Sequence, residues 1–371
     1  MRFLIFSDLH VHNHPDFDVQ VGDTSSRLQD CLQVLDKVKR YYDKYKCNAV
    51  LFCGDMFHTP NAVETNTYEP AYRKLEQLTD NVDRFIAIAG NHDKADTAKD
   101  GTSYSSVYPM TRLTRSAVVV KTPITIKIGR SGIHCLPYIK DVEEFREKLS
   151  LLRNRIRQHG HNILLVHQDL REAPNGPNEI RLKKAYSIRE IAKKMDYVFC
   201  GHHHHPYRLN STAVVVGSPI QHNMLDRGDK RGIIIYDTQT EQVKRIWFTF
   251  SRFFLFEIES PAAYKKFSEL EWEHGIPNGY VRFIFRYPLN IDEKTELEEH
   301  LKSMMVRGYE IKVQPGPTRA MRNESLSKKM LASIGLKAAL PDYVDHVKPK
   351  GLNRKRLVKT GQKIIDSAEG D

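Results

Sequence analysis

Phe3-Leu4-Ile5-Phe6-Ser7-Asp8-Leu9-His10 is a short unbroken apolar run that stops on a small polar residue and then presents a carboxylate and an imidazole. A continuous run of this kind, without polar alternation, reads as a strand covered on both faces. The same design recurs along the chain. Ala49 to Cys53 runs into Gly54-Asp55, Phe85 to Ala89 into Gly90-Asn91-His92-Asp93, Ile163 to Val166 into His167, and Tyr197 to Cys200 into Gly201 and His202 to His205. Between the first two runs Leu28, Leu32, Leu35 and Val38 recur at helical spacing, and Glu143 to Arg157 and Ser187 to Met195 also read as helices. Ala117 to Ile128, Val214 to Gly217 and Gly232 to Tyr236 add strands. Residues 1–250 therefore have an α/β (α+β) layout.

In open α/β sheets, sites form at the carboxyl ends of strands. On that rule Asp8, His10, Asp55, Asn91, His167, His202 and His204 are expected to converge, with His92 beside them. Two carboxylates, four imidazoles and an amide oxygen without a thiolate suit manganese, iron or zinc and are poor for calcium, which prefers oxygen cages. Asp55 is the candidate bridge, because one carboxylate can serve two cations through its two oxygens. Alternation in an extended segment puts His202 and His204 on one side, leaving His203 and His205 as bystanders.

The rest of the chain bounds the reading. A length of 371 residues predicts two domains and a tail. Residues 252–314 repeat a smaller pattern: strand Phe253 to Ile258, helix Ala262 to Glu271, strand Tyr280 to Tyr287, helix Glu293 to Met304, strand Tyr309 to Val313. Gln314-Pro315-Gly316-Pro317 breaks it, and marginal helices are expected near Ser325 to Ser333 and Leu352 to Ile365. Residues 316–365 hold twelve Lys/Arg against Glu324, Asp342 and Asp345, so most of the net charge of +11 sits in the tail. Such a stretch fits a solvated end or contact with phosphates or an acidic partner. The apolar fraction of 40% against 28% charged residues describes a soluble globular protein, and no apolar run is long enough to span a bilayer. Strand-like Arg2 to Phe6 follows Met1 at once, so no export signal is visible. Five cysteines without a C-x-x-C pair read as buried hydrophobes in a reducing compartment rather than a zinc site or disulfide frame.

Taken together, Asp8-Leu9-His10, Gly54-Asp55, Gly90 to Asp93, His167 and Gly201 to His204 resemble, in order, the motifs of the calcineurin-like metallophosphoesterases. The resemblance implies a four-layer β-sandwich flanked by helices and holding two divalent metal ions, with manganese first and magnesium, iron or zinc as alternatives. By that likeness one metal takes Asp8, His10, Asp55 and His204, and the other Asp55, Asn91, His167 and His202. His92 protonates the departing sugar oxygen or steadies the phosphorane, Asp93 orients His92, and His58 touches the scissile phosphate or turns the substrate. His12 and His14 have no counterpart and read as exposed loop residues. Gln168 stands where many relatives carry a small residue.

Gly54-Asp55-Met56-Phe57-His58 looks like the SbcD-type DNA repair nucleases, as does Gly217-Ser218-Pro219 with Arg231-Gly232-Ile233-Ile234. That likeness divides the chain into a nuclease domain at 1–250, a DNA-capping α/β domain at 251–314, and a basic helical tail at 315–371. The tail, around Leu340-Pro341-Asp342-Tyr343 and Leu357 to Ile365, is similar to the segment that docks on the coiled coil of an SbcC-type ABC ATPase. The resemblance implies single-strand endonuclease and double-strand 3'-5' exonuclease activity in DNA repair and recombination, homodimerisation, no membrane contact, and the cytoplasm of a bacterial or phage-infected cell. No Walker A sequence is present, so ATP-driven steps fall to another chain. Two rival readings keep the same motifs: a phosphoesterase acting on small nucleotides or phosphoproteins, and a non-catalytic DNA-binding scaffold. Arg181, Lys183, Lys184, Arg208, Arg227 and Arg231 are assigned no role, since single basic residues are usually solvated surface.

Overall fold

The computed structural model describes residues 1–14, 16–17, 19–59, 61–94, 104–112, 114–154, 156, 160–173, 186–249, 252–268, 276, 278–314, 340, 344 and 353–369. In chain order the first half contains β1 (Arg2–Phe6), a small hairpin β2 (Gln20–Val21) and β3 (Thr24–Ser25), α1 (Ser26–Tyr45), β4 (Ala49–Phe52), α2 (Thr65–Asp80), β5 (Phe85–Ile88), β6 (Ala117–Val120), β7 (Ile124–Ile128), β8 (Ser131–Leu136) and α3 (Val142–Arg153). There follow β9 (His161–His167), α4 (Ile188–Ile191), β10 (Tyr197–Gly201), β11 (Tyr207–Arg208), β12 (Ala213–Val215), β13 (Arg231–Asp237) and β14 (Gln242–Phe248).

These strands form two six-stranded sheets, in the orders β14-β13-β1-β4-β5-β6 and β11-β12-β10-β9-β8-β7. The architecture is mixed α/β. Strand alternation builds the layers. In β1, Phe3 and Ile5 join a core between the sheets, while Leu4 and Phe6 pack with Leu28, Leu35 and Val38 of α1. In β9, Ile163 and Leu165 enter the same inter-sheet core, whereas Leu164 and Val166 face Phe145 and Leu149 of α3. Helix, sheet, sheet and helix thus stack as four layers, and the continuous apolar runs have both faces covered. Burying one such Leu or Phe contributes about 1.5–3 kcal/mol.

Local chemistry sets the helix ends. The Ser25 hydroxyl accepts the Leu28 amide at 3.0 Å to start α1, and Lys46 ends it with φ of 50°. Besides the two-residue strands β2, β3 and β11, three longer elements go beyond the sequence expectation. Helix α2 is hidden by Pro70 in its interior and by Glu64, an N-cap that makes no side-chain capping bond. Strands β8 and β14 are the other two. The helix expected over Ser187 to Met195 is only the short α4, because Lys194 turns left-handed at φ 67°.

The smaller unit has β15 (Phe253–Ile258), α5 (Pro261–Ser268), β16 (Tyr280–Phe285), α6 (Ile291–Ser303) and β17 (Gly308–Val313), with the three strands parallel in sequence order. It docks on α1 through a buried polar cluster. Tyr280 donates to Asp30 at 2.6 Å, Arg307 pairs with Asp30 at 2.8 Å, and the Arg27 guanidinium covers the Phe253 and Tyr280 rings at 4.9 and 5.0 Å. In the tail, the basic helix α7 (Arg354–Glu369) is described; the helix expected near Ser325 to Ser333 and the segment Pro341 to Tyr343 lie outside the described residues. Among the described residues no helix is long and apolar enough to cross a membrane.

Removing Asp30 leaves Arg307 without its buried carboxylate partner and Tyr280 with only the longer 3.5 Å contact to the Ser26 hydroxyl. Asp30→Ala is expected to lower the unfolding free energy by about 3 kcal/mol, as read from urea melts, and a change below about 0.5 kcal/mol would mean that this cluster does not hold the two units together.

Candidate metal centre

Strands β1, β4 and β5 of the first sheet and β9 and β10 of the second end side by side, and their loops are stitched together by backbone hydrogen bonds. The Asp8 amide donates to Gly54 O at 2.9 Å, His10 to Asp55 O at 3.1 Å and Val11 to Met56 O at 2.8 Å. Asp8, His10, Asp55 and His202 all take positive φ, at 51°, 45°, 60° and 82°. Left-handed backbone is unfavourable for these residue types and persists only where the surroundings enforce it. Here it turns four side chains inward.

The seven side chains meet in one cluster. Ligand atoms of Asp8, His10 and His204 lie within 4.8 Å of one another, and so do those of Asp55, His167 and His202. Asp55 Oδ2 joins the two groups, 3.6 Å from His10 Nε2 and 3.3 Å from His167 Nε2. Asn91 Oδ1 is 3.0 Å from His167 Nε2 and 2.9 Å from His202 Nδ1. The second Asp55 oxygen is taken, accepting the His92 amide at 2.8 Å. Oδ2 of Asp55 therefore faces both donor groups, while Oδ1 is engaged by the backbone. His203 does face away, but because residues 202–206 form a bend and not an extended strand; its ring instead accepts the Leu170 amide.

Further contacts fix the rings. His167 Nδ1 donates to Cys53 O at 2.7 Å, leaving Nε2 for the centre, and Asp169 holds His202 Nε2 at 2.8 Å, leaving Nδ1. Asp93 is fully buried and accepts the amides of Gly90, Asp55, Met56 and Phe57. It pins the two loops by their backbones. The His92 ring is held by the His58 carbonyl, 2.5 Å from Nδ1, and not by Asp93, which corrects the role expected for that carboxylate. Two glycines clear the space: at Gly54, with φ of 98°, a Cβ would strike His167 Nδ1, and at Gly90 it would strike Asp55 Oδ1.

The donor set fits cations. Asp8 and Asp55 are 0% and 1% exposed, yet Asp8 Oδ2 and His10 Nδ1 have no hydrogen-bond partner among the described residues. Two neighbouring buried carboxylates, whose basic neighbours among the described residues are imidazoles, call for positive charge. Burial pushes the Asp8 carboxyl up, and Asp55 adds to this. Burial opposes a charged His167, yet Asp55 and Asp8 hold its proton to about 9, so the field there favours a cation. Burial, with His204 and His222 adding to it, drives His10 well below the usual imidazole range, leaving the neutral ring that a ligand requires.

Several histidines lie where sequence reasoning does not put them. His12 and His14 are half-buried and form a ring cluster with His58, at centroid distances of 5.1 and 5.2 Å. They are not exposed loop residues. His222 is buried 5.2 Å from the His10 ring, with Nε2 3.0 Å from the Asp8 carbonyl. No motif flags it; only the fold brings it there. Gln168 donates to the Ile139 carbonyl, Arg231 is buried against Asp226 and Asp229, and His205 pairs with Asp229. Arg181, Lys183 and Lys184 lie outside the described residues.

A family model described as calcineurin-like phosphoesterase matches residues 1–206. Among curated proteins the chain is similar to the SbcD subunit of the nuclease SbcCD of Staphylococcus epidermidis, 22% identical over 244 residues, covering 58% of this chain and 62% of that protein. The chain therefore spans less than two thirds of that relative's length. Among solved structures it is similar to a dimetal phosphatase from Danio rerio, with 10% identity, a TM-score of 0.40 and 63% and 91% of the two chains covered. A second is the Pseudomonas putida nuclease MPE, with 16% identity, a TM-score of 0.24 and 57% and 66% covered.

Gly90→Ala must displace Asp55, so manganese titration calorimetry is expected to show binding lost from this variant while its circular dichroism stays native. Asp169→Ala releases only the outer nitrogen of His202, and a drop of about 10- to 100-fold in metal affinity is expected; unchanged affinity in either variant would dissociate these residues from metal binding.

Proposed function

The chain belongs to the calcineurin-like phosphoesterase family, and on that premise we propose that it is a metal-dependent DNA nuclease of SbcD type. The carrying observation is the gathering of seven donor side chains into two groups joined by one Asp55 oxygen. In this reading Asp8, His10, Asp55 and His204 hold one divalent ion, and Asp55, Asn91, His167 and His202 hold the other, with manganese the leading candidate. Bound there, the pair supplies charge neutralisation at the phosphate and lowers the pKa of water towards about 7.

The chain's own groups do the rest. Asp93 and Asp169 keep the donors in place through the loop amides and the His202 ring. The His58 carbonyl accepts a hydrogen bond from His92 Nδ1–H, so it is Nε2 that, in the imidazolium form of the ring, gives its proton to the departing sugar oxygen and leaves the neutral Nδ1–H tautomer behind. His58 itself stands on the substrate side, its ring 5.5 Å from His10 and 5.6 Å from His92, suited to contact the scissile phosphate.

DNA as the substrate is supported by the similarity to the S. epidermidis nuclease and by the second α/β unit. We read residues 1–250 as the nuclease domain, 251–314 as the DNA-capping domain and the basic tail as the dock for an SbcC-type ATPase coiled coil. Homodimerisation and a role in repair and recombination belong to the same proposal.

End-labelled DNA incubated with manganese is expected to be cut, and more efficiently at duplex ends when the ATPase is added. His92→Ala should reduce kcat by about 10²- to 10⁴-fold while calorimetry shows manganese still bound, whereas Asp55→Ala should lose binding and cleavage together. Rapid hydrolysis of cyclic nucleotides or aryl phosphodiesters with intact DNA would replace this reading by a small-substrate phosphoesterase.

A further inference from the structure

An open pocket of about 400 Å³ is lined chiefly by Asn61, Thr65, Tyr68, Tyr104, Ser105 and Ser106, on segments tied to two loops of the centre. Its size is that of a small-ligand site. One wall, residues 61–69, follows directly on the loop that carries Asp55 and His58. Buried Phe57 stacks on Tyr68 at 5.4 Å and on Tyr72 at 6.3 Å, anchoring that wall to the metal loop. The opposite wall hangs from the loop of Asn91 and His92: the Ser106 amide donates to Asp93 O at 3.1 Å, and Ser105 bridges to Lys94. The Tyr68 and Tyr72 hydroxyls both donate to the Ser106 carbonyl, at 3.4 and 3.0 Å, and close the floor between the walls.

The lining chemistry selects the occupant. Its described side chains include no cation, and Glu69 contributes a carboxylate that pairs outward with Arg73, so a phosphate is disfavoured. Tyr104, by contrast, is 80% exposed, a large ring left in water at the pocket mouth. Asn61 offers both a donor and an acceptor, and the Ser105 and Ser106 hydroxyls are buried with no partner among the described residues. A flat neutral ring with polar edges meets these conditions: its face stacks on tyrosine and its edge finds hydrogen bonds.

Resting on the nuclease reading above, we propose that this pocket is a nucleobase site. It seats the base of a nucleotide flanking the scissile phosphate and so registers the strand over Asp55. The metal groups then act on a backbone whose position is set by stacking, which tolerates any base sequence.

The test uses the full chain with short single-stranded oligonucleotides carrying one 2-aminopurine, moved through successive positions, with fluorescence quenching reporting stacking. Quenching is expected at one register with the wild type. At that register Tyr104→Ala should weaken binding about tenfold, Tyr104→Phe should restore it, and an abasic nucleotide should cost the wild type the same factor but cost Tyr104→Ala nothing more. Absence of quenching at every register, or equal affinity of all three proteins, overturns the pocket assignment. Cleavage of the same oligonucleotides by the wild type with manganese is scored separately. Cutting without quenching defeats the base site alone, whereas quenching without cutting defeats the nuclease reading and leaves the base site standing.

Discussion

A single buried carboxylate oxygen, Oδ2 of Asp55, stands 3.6 Å from a nitrogen of His10 and 3.3 Å from a nitrogen of His167. Several features of the centre keep that oxygen there. Its partner oxygen is held by the His92 amide, its own amide is held by Asp93, and its backbone is turned left-handed to point the side chain inward. Glycine at position 90 leaves the room that the carboxylate occupies. A carboxylate buried this deeply is unfavourable unless positive charge faces it; protonated His167 supplies that charge here, and bound cations would take over the same role.

The sandwich is what makes such a cluster possible. Asp8, Asp55 and Asn91 come from one sheet, and His167, His202 and His204 from the ends of strands in the other. The inter-sheet core of Phe3, Ile5, Leu51, Ile163, Leu165 and Phe199 fixes the spacing of the two sheets directly beneath the donors. Packing at crystal-like density transmits small volume changes, which ties the geometry of the centre to the apolar layer under it.

The smaller unit is connected to this centre through a short chain of contacts. Arg27 sits over the Phe253 and Tyr280 rings and donates to the His222 carbonyl at 2.7 Å, while the His222 ring reaches the Asp8 carbonyl. Arg27 is only 3% exposed, so its charge is satisfied by backbone oxygens and aromatic faces and not by solvent. The second unit is therefore packed against the residues that support the donors.

Much of this is legible in the chain itself. Five apolar runs, each ending in Asp, Asn or His, identify the buried strands and the donor set, because strand hydrophobicity and ligand chemistry are properties of residue type and spacing. Tertiary structure alone decided the rest. It split the strands between two sheets, turned one Asp55 oxygen towards both donor groups and the other to the His92 amide, redirected Asp93 from the His92 ring to backbone amides, and drew His12, His14 and His222 into the cluster. Helix α2 escapes a sequence reading because Pro70 and an uncapped start mask its local signal, while packing against α1 stabilises it. Contacts between residues two hundred positions apart, and the left-handed turns that aim side chains, arise from how sheets stack and loops interlock, and no local pattern encodes them.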